Sequence, residues 1–224
     1  MVKINYPILI VMMSLLTLSL DSCKAEEPLD NSDSNTLNNI FDELSENLKL
    51  SLSYNVMSED SLETLNIQID QRIEMMTDQT NVLQRSFEAI YNEGLYYDMY
   101  ILLTHEGNIA LGITSPDLSY IMDKEPQAIK FIEDLSLSNK SAMISSLAAN
   151  AFTHSDIDTM IVKCAPELEE TPAIYQGYEL SQDRGVTSCN FIFKVGPEIY
   201  RLSYNLTEKD SGMSNIQYPS YKEI

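Results

Sequence analysis

The chain has 224 residues, of which 44% are hydrophobic, with 13 Tyr and 6 Phe, enough to bury the core of one domain or of one domain with an appendage. Lys and Arg number 14 against 34 Asp and Glu, for a formal net charge of −20. That charge repels phosphate backbones and anionic lipid surfaces, so it argues against nucleic acid and favours a basic protein as partner.

Met1-Val2-Lys3 carries one positive charge and leads into an uncharged apolar run from Ile8 to Leu20. These are the n-region and h-region of an export signal, and the run stops at Asp21, short of the ~20 apolar residues that span a bilayer. Two processing readings compete. Leu20-Asp21-Ser22-Cys23 resembles a bacterial lipobox, with Cys23 diacylated as the first mature residue, although Asp21 departs from the small or apolar residue usual there. Cys23-Lys24-Ala25 offers instead an ordinary signal-peptidase site before Glu26. Under the lipobox reading, which is preferred, Lys24 lacks an Asp-type retention signal, and the periplasmic face of the outer membrane becomes the expected home. Under the other, the chain is a free exported protein of the periplasm. Residues 1–23 are thus read as a signal peptide, and a lipid on Cys23 would be the one contact with membrane. Losing 1–22 removes one cation, Lys3, and one anion, Asp21, so the charge stays at −20.

Residues 24–35 are polar with almost nothing to bury and read as a flexible tether. The domain is expected over 36–209. Leu37, Ile40, Phe41, Leu44 and Leu48 recur at helical spacing, with Ser34, Asn35 or Thr36 as N-cap. From Leu48 to Val56, apolar and polar residues alternate as in a half-buried strand. Leu62, Ile69, Met76, Leu83 and Ile90 fall seven apart, joined by Ile73 and Phe87, with no Gly or Pro before Gly94. The spacing predicts one long helix over about 59–93, with polar Asn66 and Thr80 interrupting the seam, and offers a surface for self-association. Residues 97–104 and 108–114 form two strand-like runs around His105-Glu106-Gly107, a hairpin. Ser115-Pro116-Asp117 opens a helical region and Glu125-Pro126 restarts it. Three short helices then follow to about Cys164, the last entered at His154-Ser155-Asp156 and ended by Pro166. Residues 173–180, 187–195 and 198–207 are strands rich in Tyr, Phe, Ile and Val, and 210–224 is a polar tail without assigned structure. The fold class expected is α+β, an antiparallel sheet of five to six strands against several helices.

Cys164 and Cys189 remain an even pair once Cys23 is lipidated or removed, and a disulfide between them is expected in an oxidising compartment. With only His105 and His154, and no i, i+4 ligand pair, a metal site is not expected; turn and capping roles explain both residues. No Gly-x-Ser-x-Gly elbow, Gly-rich phosphate loop or Cys-x-x-Cys pair occurs, so neither a catalytic residue nor a cofactor is assigned. The expectation is an exported acidic binding protein, a neutraliser of immunity or inhibitor type. It would occlude a basic partner through Glu167, Glu169 and Glu170. The alternatives are a structural or sensory envelope lipoprotein that assembles through the long helix, and a hydrolase of envelope polymers working through carboxylates and tyrosine.

Overall fold

A computed structural model describes residues 31–72, 76–148, 151–183, 186–207, 209 and 212–218. The expected signal peptide with Cys23, and residues 24–30 of the expected tether, lie outside the described residues. Among the described residues no helix is long and apolar enough to cross a membrane.

The chain is α+β, and its described residues form five helices and two four-stranded sheets. Helix α1 spans Asn31–Leu48, followed by the hairpin β1 (Leu52–Glu59) and β2 (Leu62–Ile69). Helix α2 (Met76–Asn92) then leads to a second hairpin, β3 (Met99–Leu103) and β4 (Ile109–Thr114). Helices α3 (Ser115–Ser136), α4 (Lys140–Ser146) and α5 (His154–Glu170) precede β5 (Ile174–Asp183), β6 (Val186–Val195), β7 (Glu198–Asn205) and β8 (Met213–Gln217).

The first sheet has order β1-β2-β3-β4 and is mixed, because β2 and β3 run parallel while the two hairpins are antiparallel. A parallel neighbour needs a crossover, and α2 lies on that connection. In register, Tyr54 faces Ile67, Ile67 faces Leu102 and Leu102 faces Leu111, so one face carries an apolar row across all four strands. Helix α1 closes over that face. Phe41 stacks on Tyr54 at 4.8 Å, and the Tyr54 hydroxyl donates to Asn38 Oδ1 at 2.9 Å.

The second sheet, β5-β6-β7-β8, is an antiparallel meander. Its inner face is aromatic: Tyr178 faces Phe191, Phe193 faces Tyr200, and Cys189 faces Tyr204. The other face is largely polar, with Ser203 Oγ donating to Asn190 Oδ1 at 2.7 Å and Asn190 Nδ2 donating to Ser181 Oγ at 2.8 Å. Helix α2 joins the sheets, packing on β3, β4 and β5. Its Thr80 hydroxyl donates to the Tyr178 carbonyl at 2.6 Å, and the register slips between Tyr175 and Gly177, where a Cβ on Gly177 would lie 3.0 Å from Asn81 Oδ1. One continuous cluster of buried apolar side chains runs through both halves.

Several expectations are corrected. The single antiparallel sheet is two sheets, one of them mixed. The helix expected over 59–93 is a strand hairpin followed by a 17-residue helix, and α3, with 22 residues, is the longest among the described residues. Asp60 and Ser61 have φ of 49° and 71°, the left-handed pair of a two-residue hairpin turn, so the chain reverses where the seven-residue spacing ran straight through. Leu65, Ile67 and Ile69 alternate inward along β2, a period of two that the wider spacing concealed. Leu83, Phe87 and Ile90, read as a seam for self-association, are buried within the fold.

Helix α1 begins at Asn31, inside the expected tether, and Lys49, at φ 55°, follows its last residue. Helices α3 and α5 continue through Pro126 and Pro166, which were expected to break them. Both prolines are exposed, on the side where water can meet the carbonyl each leaves unbonded. The expected tail contains β8, whose Met213 bridges Leu147 while Ala148 N–H donates to Met213 O at 3.0 Å.

Candidate functional site

Helices α3 and α5 pack side by side over the second sheet. Each begins at a threonine. Thr114 Oγ1 accepts from Asp117 N–H, and Thr153 forms a capping box in which Asp156 N–H donates to Thr153 Oγ1 and Thr153 N–H donates to Asp156 Oδ2 at 2.8 Å. The bonds from Thr153 hold the Asp156 carboxyl below its ordinary pKa. Leu118, Ile121, Phe131 and Leu135 of α3 and Ile157, Met160, Cys164 and Leu168 of α5 point into the core.

Where α3, α5 and the start of β5 meet, they enclose an open cleft of about 660 Å³. Its floor is Ile129 and Ile132 from α3, Leu168 from α5, Tyr175 from β5 and Phe193 from β6. Glu133 and Glu169 stand on opposite helices at its rim, both exposed, and no Lys, Arg or His lines it. Leu137, also on the lining, is 75% exposed. An apolar floor with carboxylates above it suits a guest with an apolar stem and a positive head.

The three acidic residues expected to meet a partner have different surroundings. Glu169 is on the cleft rim and Glu170 is exposed beside it. Glu167 is partly buried and accepts a hydrogen bond from the Tyr200 hydroxyl at 2.8 Å. It anchors α5 to the sheet instead of facing outward. Burial first, and this bond second, push the Tyr200 hydroxyl well above its ordinary pKa.

Cys164 and Cys189 do not form the expected disulfide; both are buried free thiols. Cys164 on α5 adjoins the Tyr200 hydroxyl, whereas Cys189 pairs with Tyr204, about 13 Å further along β7. A disulfide needs Cα atoms within ~7 Å. Burial raises the Cys164 thiol to about 11 and the Cys189 thiol well above its ordinary value. Neither has the thiolate character of a nucleophile.

His105 sits in the β3–β4 turn, 3.7 Å from Glu106, beside a second, polar cleft of about 360 Å³ that includes Arg72, Gln79 and Asn108. His154 is the first residue of α5. Among the described residues no three of His, Cys, Asp and Glu gather into a group able to hold a metal ion.

Sequence reasoning missed Glu133, Tyr175 and the apolar floor. Glu133 is one of 34 acidic residues, and only the crossing of α3 over α5 sets it opposite Glu169. No protein-family model, curated protein or solved structure matches the chain.

Proposed function

We propose that the chain is an exported, acidic binding protein that holds a basic partner protein in the α3–α5 cleft, in the manner of an immunity protein or inhibitor. The observation that carries this reading is the cleft itself: an apolar floor between two helices, with Glu133 and Glu169 at the rim and no basic residue among its lining. A net charge of −20 speeds encounter with a basic surface, and the rim acids set its orientation. The apolar run before Asp21 supports reading this activity as one of the periplasm or the outer membrane.

Capture from envelope extract at low ionic strength, repeated with Glu133→Lys/Glu169→Lys, tests the reading. A basic protein retained by the native chain and lost by the reversed one is expected. Retention indifferent to the reversal would overturn the cleft as the contact.

A hydrolase is the second reading, favoured by two carboxylates and a tyrosine along one cleft. Both carboxylates are exposed, however, and the Tyr175 hydroxyl is buried away from them, so the arrangement suits binding better than acid–base chemistry. Loss of polymer turnover in Glu133→Gln would reverse this order.

A further inference from the structure

Behind the cleft floor lies a polar cluster that packing alone leaves incomplete. The hydroxyls of Tyr178 and Tyr204 are buried and have no hydrogen-bond partner among the described residues, and the buried Tyr175 hydroxyl is turned towards the Glu125 carboxylate. Tyr178 and Tyr204 are 0% exposed. All three project from the inner face of the second sheet around Cys189, which faces Tyr204 directly and lies diagonal to Tyr178. Glu125 of α3 faces the same cluster and influences Tyr175, Tyr178 and Cys189. Its carboxylate accepts from Gln84 Nε2 of α2 at 2.7 Å. Phe191 sits among the tyrosine rings, 6.3 Å from Tyr175, 6.4 Å from Tyr178 and 5.5 Å from Tyr204.

A buried hydroxyl without a partner is costly, and two at one place, next to a carboxylate, call for a guest that completes them. Glu125 disfavours an anion. Hydroxyl oxygens and a carboxylate are acceptors, and aromatic faces attract positive charge. An ammonium group, with three N–H donors and a compact charge, meets every one of these features.

We propose that Glu125, Tyr175, Tyr178 and Tyr204 form a receiving site for a primary alkylammonium group, the lysine side chain of the basic partner, entered from the α3–α5 cleft past Tyr175. The inference rests on the reading of the chain as a binder of basic protein and names the side chain it recognises. Tyr175 belongs to both places: it lines the cleft, while its hydroxyl lies in the cluster beside Glu125. It also borders the slip in β5–β6 register. The apolar cleft floor would carry the lysine methylenes and the cluster its charged head.

The probe is n-butylammonium, the lysine head and stem without a peptide, titrated into the full chain while tyrosine ring NMR signals are followed. Saturable shifts are expected, with affinity falling about tenfold in Glu125→Gln and in Tyr178→Phe/Tyr204→Phe. Glu133→Gln/Glu169→Gln should change affinity by less than about threefold, because rim charges act through water. In the absence of amine, Tyr178→Phe should melt higher than the native chain, which shows that it folds and that the hydroxyl is kept for a guest. No saturable shift, binding untouched by Glu125→Gln, or a Tyr178→Phe chain that melts lower because ordered water already satisfies the hydroxyl would each overturn the proposal. Partner capture uses no free amine and amine titration uses no partner, so either can fail without the other.

Discussion

Gly212 and Gly177 are the residues where a single methyl matters most. A Cβ on Gly212 would fall 2.6 Å from the Leu147 carbonyl carbon and 2.8 Å from Ala148 N, so only glycine lets the segment after α4 close along β8. Gly212→Ala should lower stability by about 1–3 kcal/mol, read as a drop in urea midpoint. The orphaned tyrosines work in the opposite direction. Tyr178→Phe and Tyr204→Phe remove unpaired hydroxyls without removing packing, and each should raise stability by about 1 kcal/mol in calorimetry. The buried thiols make a pH signature. An acid whose folded pKa is raised favours folding in its neutral form. The contribution of Cys164 is therefore complete below pH 9.0 and lost as pH rises through about 11, with Tyr97, raised to about 12, adding in the same sense. Urea midpoints should fall across that window, and thiol reagents should reach Cys164 and Cys189 only on unfolding.

At the scale of elements, short-range chemistry was legible and long-range pairing was not. The β3–β4 hairpin around Gly107, the meander from β5 to β7 and the entry to α5 at His154 follow from turn residues and alternation. The Thr153 cap deepens that last agreement, and Thr153→Ala should cost about 1 kcal/mol. The failure over 59–93 has a definite cause. Leu62, Ile69 and Leu83 satisfy a seven-residue spacing, but Leu62 is 59% exposed on a strand, and of the described residues in this stretch only those from Met76 onward are helical. A period of seven coincides with either structure until the turn is recognised, and Asp60-Ser61 is a weaker turn signal than Asn-Gly. The strand β8 was missed because its hydrogen bonds go to β7 and the segment after α4, partners that a local reading of a polar tail does not contain. Pro126 and Pro166 misled for the same reason: their tolerance depends on which side of the helix faces water.

For the molecule as a whole, acidity was visible in composition, while the cleft was not. It arises from the crossing of two helices over a sheet and joins residues from Ile129 to Phe193. Of the acidic trio read from the chain, Glu169 reaches the cleft rim, Glu170 remains at the surface and Glu167 is bonded inward to Tyr200. Ile69, Leu83, Phe87 and Ile90 of the heptad surface offered for self-association are taken up by the core, so the proposed contact is the cleft between α3 and α5. Binding should weaken steeply with salt, because exposed rim carboxylates lose their reach as the screening length shortens.

The central claim is that a basic partner docks in this cleft, and photo-crosslinking from two equally exposed positions tests it most directly. Leu137 lines the cleft, and Val162 lies on α5 away from its buried stripe; both are 75% exposed. A photoreactive residue at 137 should trap a basic protein from envelope extract, and one at 162 should not. Trapping from 162 but not from 137 would contradict the cleft as the binding site.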